Sequence, residues 1–539
     1  MITSTRFLLL LFLTTYLMGS CQGQDAQKVV EAGKKSSEEK ASTIAQGAYN
    51  ARSGIALDSS TIPAFLALKP LFKEFSKDYQ QLYSASKFNY IWYDNSGLIE
   101  SASALISSIE NLEAEGVQAN VPYRDSLDQL LHNWSDTSNK ISPNPNTELL
   151  LTGWYIYYAR KVYAGNLSSK TDALDWFLPK NKLSYADLLK RDLDSGAMTG
   201  HRGIVANRQY IGLKKSLAAF RDLQARGENF ISGITTLSVG QEAANLPQAR
   251  KRLFELGYLS ATDTAGTKFS GPLVEAVNKA KASFGLKGDS KITAALISEL
   301  NVPAQKRTEQ IMVNMERLRW MRPDSVTARE AILVNIPEFT LHYYEQHKEV
   351  WSCGVVVGKP VTRTVIFSGM MKYVVMSPYW NVPPSIIKKE IRPGMARKKN
   401  YLAAHNMEWN GGNVRQRPGP RNSLGLVKFL SPNSYNIYLH DSPAKSLFEE
   451  DRRAYSHGCI RVAKARDLAV RILKQDPEWT PEKIDAAMNS GKEKYVTLKR
   501  QIPVYIGYFT AFISAEGQIN FRRDIYNRDQ RLLDLMMQN

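Results

Sequence analysis

Two short stretches place groups that could form and use a thiol nucleophile. Residues 438–442 read Tyr438-Leu439-His440-Asp441-Ser442, and residues 454–462 read Ala454-Tyr455-Ser456-His457-Gly458-Cys459-Ile460-Arg461-Val462. A thiol is largely protonated at neutral pH, so attack on a carbonyl needs an adjacent base; two of the chain's seven histidines, His440 and His457, fall here. Gly458 permits close backbone approach, and amides around a sharp Gly-Cys turn can donate to the oxyanion of a tetrahedral intermediate. The same residues admit two other readings. One is a buried structural cysteine beside hydrogen-bonded histidines; the other is metal ligation by two histidines and Cys459, with Asp441 as a further ligand.

The cysteines narrow the setting. There are three, Cys21, Cys353 and Cys459. Cys353 lies in the apolar run Trp351 to Val357 and reads as a small buried hydrophobe, although a Cys353-Cys459 disulfide is open to an exported chain. Arg6 precedes the apolar stretch Phe7 to Met18, which suits a signal-peptide core and falls short of the roughly 20 residues a spanning helix needs. That stretch ends in Leu17-Met18-Gly19-Ser20-Cys21, which resembles the lipobox of bacterial lipoproteins. The expectation is a signal peptide over 1–20, lipidation of Cys21, and an exported, periplasmic, membrane-anchored protein. Ordinary signal-peptidase cleavage nearby is the alternative.

Further elements must hold the two stretches together. The chain of 539 residues is longer than one core usually organises, so several domains are expected. Residues 21–59 are rich in Gln, Lys, Glu, Ser and Ala and read as a tether. Residues 60–245 carry helical-period segments such as Leu98 to Leu112 and Leu149 to Tyr163, which predict a helical scaffold. Residues 246–305 predict a compact unit of three helices, and 306–325 a linking helix. From 326 to 530 the pattern turns to period two, with strands predicted at Ile332 to Ile336, Phe339 to Tyr344, Val350 to Val357, Tyr373 to Met376 and Val504 to Tyr508, then a hairpin at Phe512 to Phe521. The basic stretch Pro383 to Gln416, broken by Pro393-Gly394 and Gly411-Gly412, predicts an inserted lid. The fold class is therefore α+β and multidomain, with a mainly β catalytic part.

The formal net charge of +18 favours anionic partners. No Lys/Arg block, zinc-ligand spacing or RNA-binding signature accompanies it, so nucleic acid is not expected.

With His440 separated from Ser456 by the fifteen residues 441 to 455, the segment resembles the catalytic signature of the L,D-transpeptidase (YkuD) family: His, a spacer, then Ser/Thr-His-Gly-Cys. The likeness extends to Met376-Ser377-Pro378-Tyr379-Trp380-Asn381-Val382-Pro383-Pro384, to His405-Asn406-Met407-Glu408, and to Arg415-Gln416-Arg417-Pro418-Gly419-Pro420. It is similar to the large multidomain branch typified by YcbB, over roughly residues 60 to 530. The three-helix unit resembles a small peptidoglycan-binding domain, with Ala280 and Lys281 where that family has Phe-Gln; a helical spacer is the alternative.

The resemblance implies Cys459 as nucleophile, His440 as general base and the main-chain carbonyl of Asp441 as the group orienting the imidazole. His457 and Gly458 shape the site, and Arg461, Tyr438 and Trp380 are substrate-binding candidates, against structural packing for each. It implies transfer of a peptidoglycan stem peptide through a thioester, with release of D-Ala and crosslinking between third residues, no cofactor and no metal, and carbapenems as covalent inhibitors. Two rivals stand beside it: a carboxypeptidase or endopeptidase of the same fold that hydrolyses the acyl-enzyme, and a non-catalytic wall-binding lipoprotein.

Overall fold

The structure, a computed structural model, describes residues 54–118, 120–135, 142–165, 171–179, 183–195, 207–321 and 329–538. The signal-like stretch, Cys21 and most of the expected tether lie outside the described residues. Among the described residues, no helix is long and apolar enough to cross a membrane.

Contacts divide the chain into two units. In the first, described over 54–99 and 142–149, helices Thr61–Leu68 and Ser76–Ala85 pack through Phe65, Phe72 and Tyr79. Leu57 is buried and its N–H donates to Phe88 O at 2.7 Å, so folded chain begins slightly ahead of residue 60. Buried Glu148 accepts from the amides of Ile91 and Trp92 and from Tyr83 Oη; burial pushes its carboxyl up to about 7.

The second unit contains the other described residues. Its helical part includes Glu100–Glu110, Tyr185–Ser195 and Arg208–Arg226, the last capped by the Asn207 side chain accepting from Gln209 N. The three-helix segment is Leu246–Glu255, Pro272–Ser283 and Ala294–Leu300. Ala280 is wholly buried, and buried Lys281 pairs with Asp289, so both residues that depart from the binding-domain pattern are committed to packing. Arg252 is also wholly buried and donates to Leu300 O and Val302 O, closing the unit against its own exit.

The linking helix runs over Ala304–Trp320 and is not a solvated connector: its last turn, including Glu316, Arg317 and Arg319, is buried. Asn314 exchanges hydrogen bonds with Thr510, and the Arg307 guanidinium sits over the rings of Phe284 and Phe521, at 5.1 and 4.4 Å. Helix, three-helix segment and β domain are thereby fastened together.

The β domain is a closed barrel-like sheet. Strands β1 (Glu330–Asn335), β2 (Thr340–Glu345), β3 (Lys348–Gly358), β4 (Ile366–Met376), β5 (Val427–Leu430), β6 (Leu439–His440), β7 (Ile460–Val462) and β8 (Lys494–Gly507) pair in the order β5-β6-β7-β3-β2-β1-β8-β4, and β4 pairs back to β5. Closure removes unpaired edges. The period-two reading located β1 to β3 and parts of β4 and β8, whereas β5, β6 and β7 are too short to alternate visibly. The residues at 511–521 form a separate hairpin, Ala511–Ile513 with Ile519–Phe521. Within the helical region, Trp176–Phe177 is a strand that pairs parallel with β4.

The predicted lid is a small folded body. Trp380–Asn381 pairs with the hairpin Met407–Asn410 and Asn413–Gln416, and short helical turns fill residues 384–404. Val382, Ile386, Ile387, Ile391 and Val414 form its own core, with Trp380 and Tyr401 packed against it. The insertion therefore begins at Trp380 rather than Pro383.

Candidate active site

Register places the chemistry. Lys428 on β5 stands opposite His440 on β6, and His440 stands opposite Arg461 on β7, so the three form a row across adjacent strands. Cys459 immediately precedes β7, and alternation along an extended chain puts it on the Arg461 side. Ile460 N donates to Tyr438 O at 3.1 Å, drawing the ends of the two sequence stretches together.

His440 is buried, and its Nδ1 lies 2.5 Å from the carbonyl oxygen of Asp441. A carbonyl can only accept, so Nδ1 carries the proton and Nε2 keeps its lone pair. Burial, then the Arg461 charge, push the imidazole down to about 3. The Asp441 carboxylate has other work: Oδ2 accepts from Leu426 N at 3.0 Å and Oδ1 pairs with Lys445. Both Asp441 carboxylate oxygens are thereby engaged. Among the described residues, no group of three His, Cys, Asp or Glu side chains could hold a metal ion.

Cys459 is partly exposed and free, and Cys353 is free and buried. No disulfide joins them. The Cys459 Sγ donates to Asn436 O at 3.8 Å. Burial raises the thiol pKa, opposed by hydrogen bonds from Tyr438 and by the charges of Lys428 and Arg461. The resting pair is therefore a neutral thiol and a neutral imidazole.

The turn ahead of Cys459 is fixed from two sides. Ser456 Oγ donates to Cys459 O at 2.5 Å and accepts from Gly458 N at 3.1 Å. Thr364 Oγ1 donates to Gly458 O and Thr362 Oγ1 to Ser456 O. Gly458 has φ +121°, a conformation that an L side chain rarely adopts. Of the amides around this turn, that of Gly458 is used by Ser456 Oγ.

The aromatic candidates line the same place. Tyr438 is half-buried and hydrogen-bonds both Cys459 and Trp380, and burial followed by the neighbouring thiol raises its phenol pKa. Lys428 Nζ lies 4.1 Å from the centre of the Tyr438 ring. Trp380 thus joins the lid's core to the residue beside the thiol. His457 points the other way, with Nε2 3.1 Å from Glu390 Oε1 in the lid.

Two residues escaped sequence reasoning. Lys428 had no motif around it, although a lysine between buried Val427 and Phe429 was a visible signal. Asn433 organises the loop that carries Asn436: its side chain donates to Ser431 O and Ile437 O and accepts from Tyr435 N and Ile437 N. Neither Lys428 nor Arg461 forms an ion pair among the described residues.

Comparison with known proteins gives two family matches. Residues 329–484 match the L,D-transpeptidase catalytic domain, YkuD, and residues 77–217 match a Scaffold domain. A curated Haemophilus influenzae protein named "Putative L,D-transpeptidase" is 32% identical over 273 residues, which is 46% of this chain and 54% of that protein. The chain thus matches about half the length of that relative. Among solved structures, an L,D-transpeptidase from Xylanimonas cellulosilytica is 12% identical with a TM-score of 0.19, covering 51% of this chain and 98% of its own. An Enterococcus faecium L,D-transpeptidase variant is also 12% identical, with a TM-score of 0.17, covering 54% and 98%.

Proposed function

We propose that this chain, whose residues 329–484 match the YkuD L,D-transpeptidase catalytic domain, crosslinks peptidoglycan stem peptides through a thioester on Cys459. The observation that carries this reading is the row Lys428, His440, Arg461 beside Cys459: a base with a free lone pair, and two cations that make no ion pair among the described residues.

In the first half-reaction, Sγ adds to the carbonyl between the third residue and the terminal D-Ala of a tetrapeptide stem. His440 Nε2 takes the thiol proton, and the Asp441 carbonyl holds the imidazole through the resulting charge. The Cys459 amide and Tyr438 Oη are the donors for the oxyanion, since the Gly458 amide is committed. Collapse breaks the C–N bond, and D-Ala leaves with the proton from His440. In the second half, the side-chain amine of another stem's third residue attacks the thioester, loses its proton to His440 and frees the thiol. Arg461 and Lys428 hold the donor's carboxylate, to which a guanidinium can present two parallel N–H groups.

No group outside the chain is needed for these steps, and carbapenems would acylate the same sulfur. The lid excludes water from the thioester so that an amine resolves it. The chain acts in the periplasm, anchored through Cys21. Incubation with disaccharide-tetrapeptides tests the reading: dimers formed with loss of D-Ala support it, and tripeptides alone would reassign the chain to hydrolysis.

A further inference from the structure

Behind the catalytic turn lies a small pocket, open to solvent on one side, between Trp176, the start of β4 and the helix Arg528–Met537. Its wall is strongly basic, with Arg317, Arg363, Arg528 and Arg531 against a single acid, Asp175. Arg317 is neutralised by Asp529 at 2.6 Å, and Asp175 lies 3.4 Å from Arg528. Arg363 and Arg531 are exposed and make only hydrogen bonds to carbonyls, Pro360 O and Ala173 O, among the described residues.

Two donors in this wall are buried without a hydrogen-bond partner among the described residues: Trp176 Nε1 and Arg528 Nε. Trp176 is 2% exposed and Arg528 8%. A buried donor left without an acceptor is destabilising, and native structures usually supply one. Burial depresses the Arg528 pKa, Asp175 and Tyr508 oppose it, and the like charges of Arg317 and Arg363 add to the depression. An acceptor bearing negative charge would answer both deficits at once.

We propose that this cavity binds a small oxyanion, with Arg363, Arg528 and Arg531 supplying charge and Trp176 Nε1 a neutral hydrogen bond. Arg363 lies between Thr362 and Thr364, whose hydroxyls hold Ser456 and Gly458, so a bound anion would sit one residue from the supports of the nucleophile's turn. The inference stands on the cavity alone and does not depend on the transferase reading. Phosphate and carboxylate share the chemistry, and the experiment separates them.

Calorimetric titration of the full chain with inorganic phosphate and with N-acetyl-D-alanine, at ionic strength fixed with chloride, tests it. Saturable binding of at least one anion is expected, weakened about tenfold or more by Trp176→Phe, which keeps the ring against Trp320 but removes the N–H. Arg363→Gln, at an exposed side chain, should weaken it similarly and carries the test should Trp176→Phe fold poorly. The arm that saturates and that Arg363→Gln weakens assigns the anion to a phosphate or a peptide carboxylate source; saturation that Arg363→Gln leaves unchanged belongs to another site. Absence of saturation with both anions, or unchanged affinity in Arg363→Gln, overturns the proposal.

Discussion

His457 Nε2 lies 3.1 Å from Glu390 Oε1, so the residue two before the nucleophile touches the body that covers it. Both side chains are about half exposed, and such a pair is worth only about 0–1 kcal/mol. Glu390→Ala should therefore leave thermal stability nearly unchanged. Replacing 384–405 by a short loop removes Ile386, Ile387 and Ile391 from the lid's core, and hydrolysed product should rise relative to crosslinked product. Quantifying both by chromatography decides the matter; an unchanged ratio would remove the lid from the account of water exclusion.

The imidazole makes a pH prediction. With His440 pushed down to about 3 from 6.5, it stays unprotonated well below neutrality, so the acid limb of Cys459 acylation by a carbapenem should lie near 3–4. A limb near 6.5 would refute the environment described. His440→Ala should slow acylation by about 10²–10⁴-fold. The same shift bears on stability. An unfolded chain takes the proton near 6.5 and the folded one near 3, so this contribution is present above 6.5 and declines as pH falls between the two.

Arg461 and Lys428 are expected to recognise the donor's carboxylate. Hydrogen bonds to charged groups contribute about 1.5–3 kcal/mol, so Arg461→Gln should raise KM about 10–100-fold for a free tetrapeptide. Lys428→Met should act in the same direction. For a donor amidated at its C-terminus, both variants should match the wild type. Equal losses on both donors would show that the cations serve packing.

Gly458→Ala separates backbone from contact. A Cβ there would meet nothing closer than 3.8 Å, so the penalty comes from φ +121°, about 1–3 kcal/mol. The expected result is a well-folded variant with Cys459 alkylation strongly slowed, since the turn must relax. Alkylation at the wild-type rate would mean that the turn's geometry is not what presents the thiol.

Much of this site was visible in the sequence because its chemistry is local. Ser456, His457, Gly458 and Cys459 are consecutive, and His440 reaches its orienting carbonyl on the next residue. Alternation was equally readable in β2, where Leu341 and Tyr343 are buried between less buried neighbours, whereas β1 was readable as a short apolar run buried on both faces. Lys428 was not, because its role comes only from pairing across β5 and β6, each four residues or fewer. The Trp176–Phe177 strand was hidden for the same reason: two residues cannot show a period, and their partner on β4 is about 190 positions away. The linking helix was legible, but the burial of Arg317 and Arg319 against Asp529 and Glu316 was not, since their acidic partners come from tertiary packing and from the helix's own buried face. The lid's existence was legible from Pro and Gly, while its start at the two-residue strand Trp380–Asn381 and its core, built from isoleucines scattered over short turns, were not.

The most direct test of the central claim is mass spectrometry of purified protein incubated with disaccharide-tetrapeptides, with Cys459→Ala alongside. The account predicts dimers formed with loss of D-Ala, a covalent adduct at Cys459 in the wild type, and neither in the variant. Dimers formed by Cys459→Ala, or no Cys459-dependent product from the wild type, would contradict it.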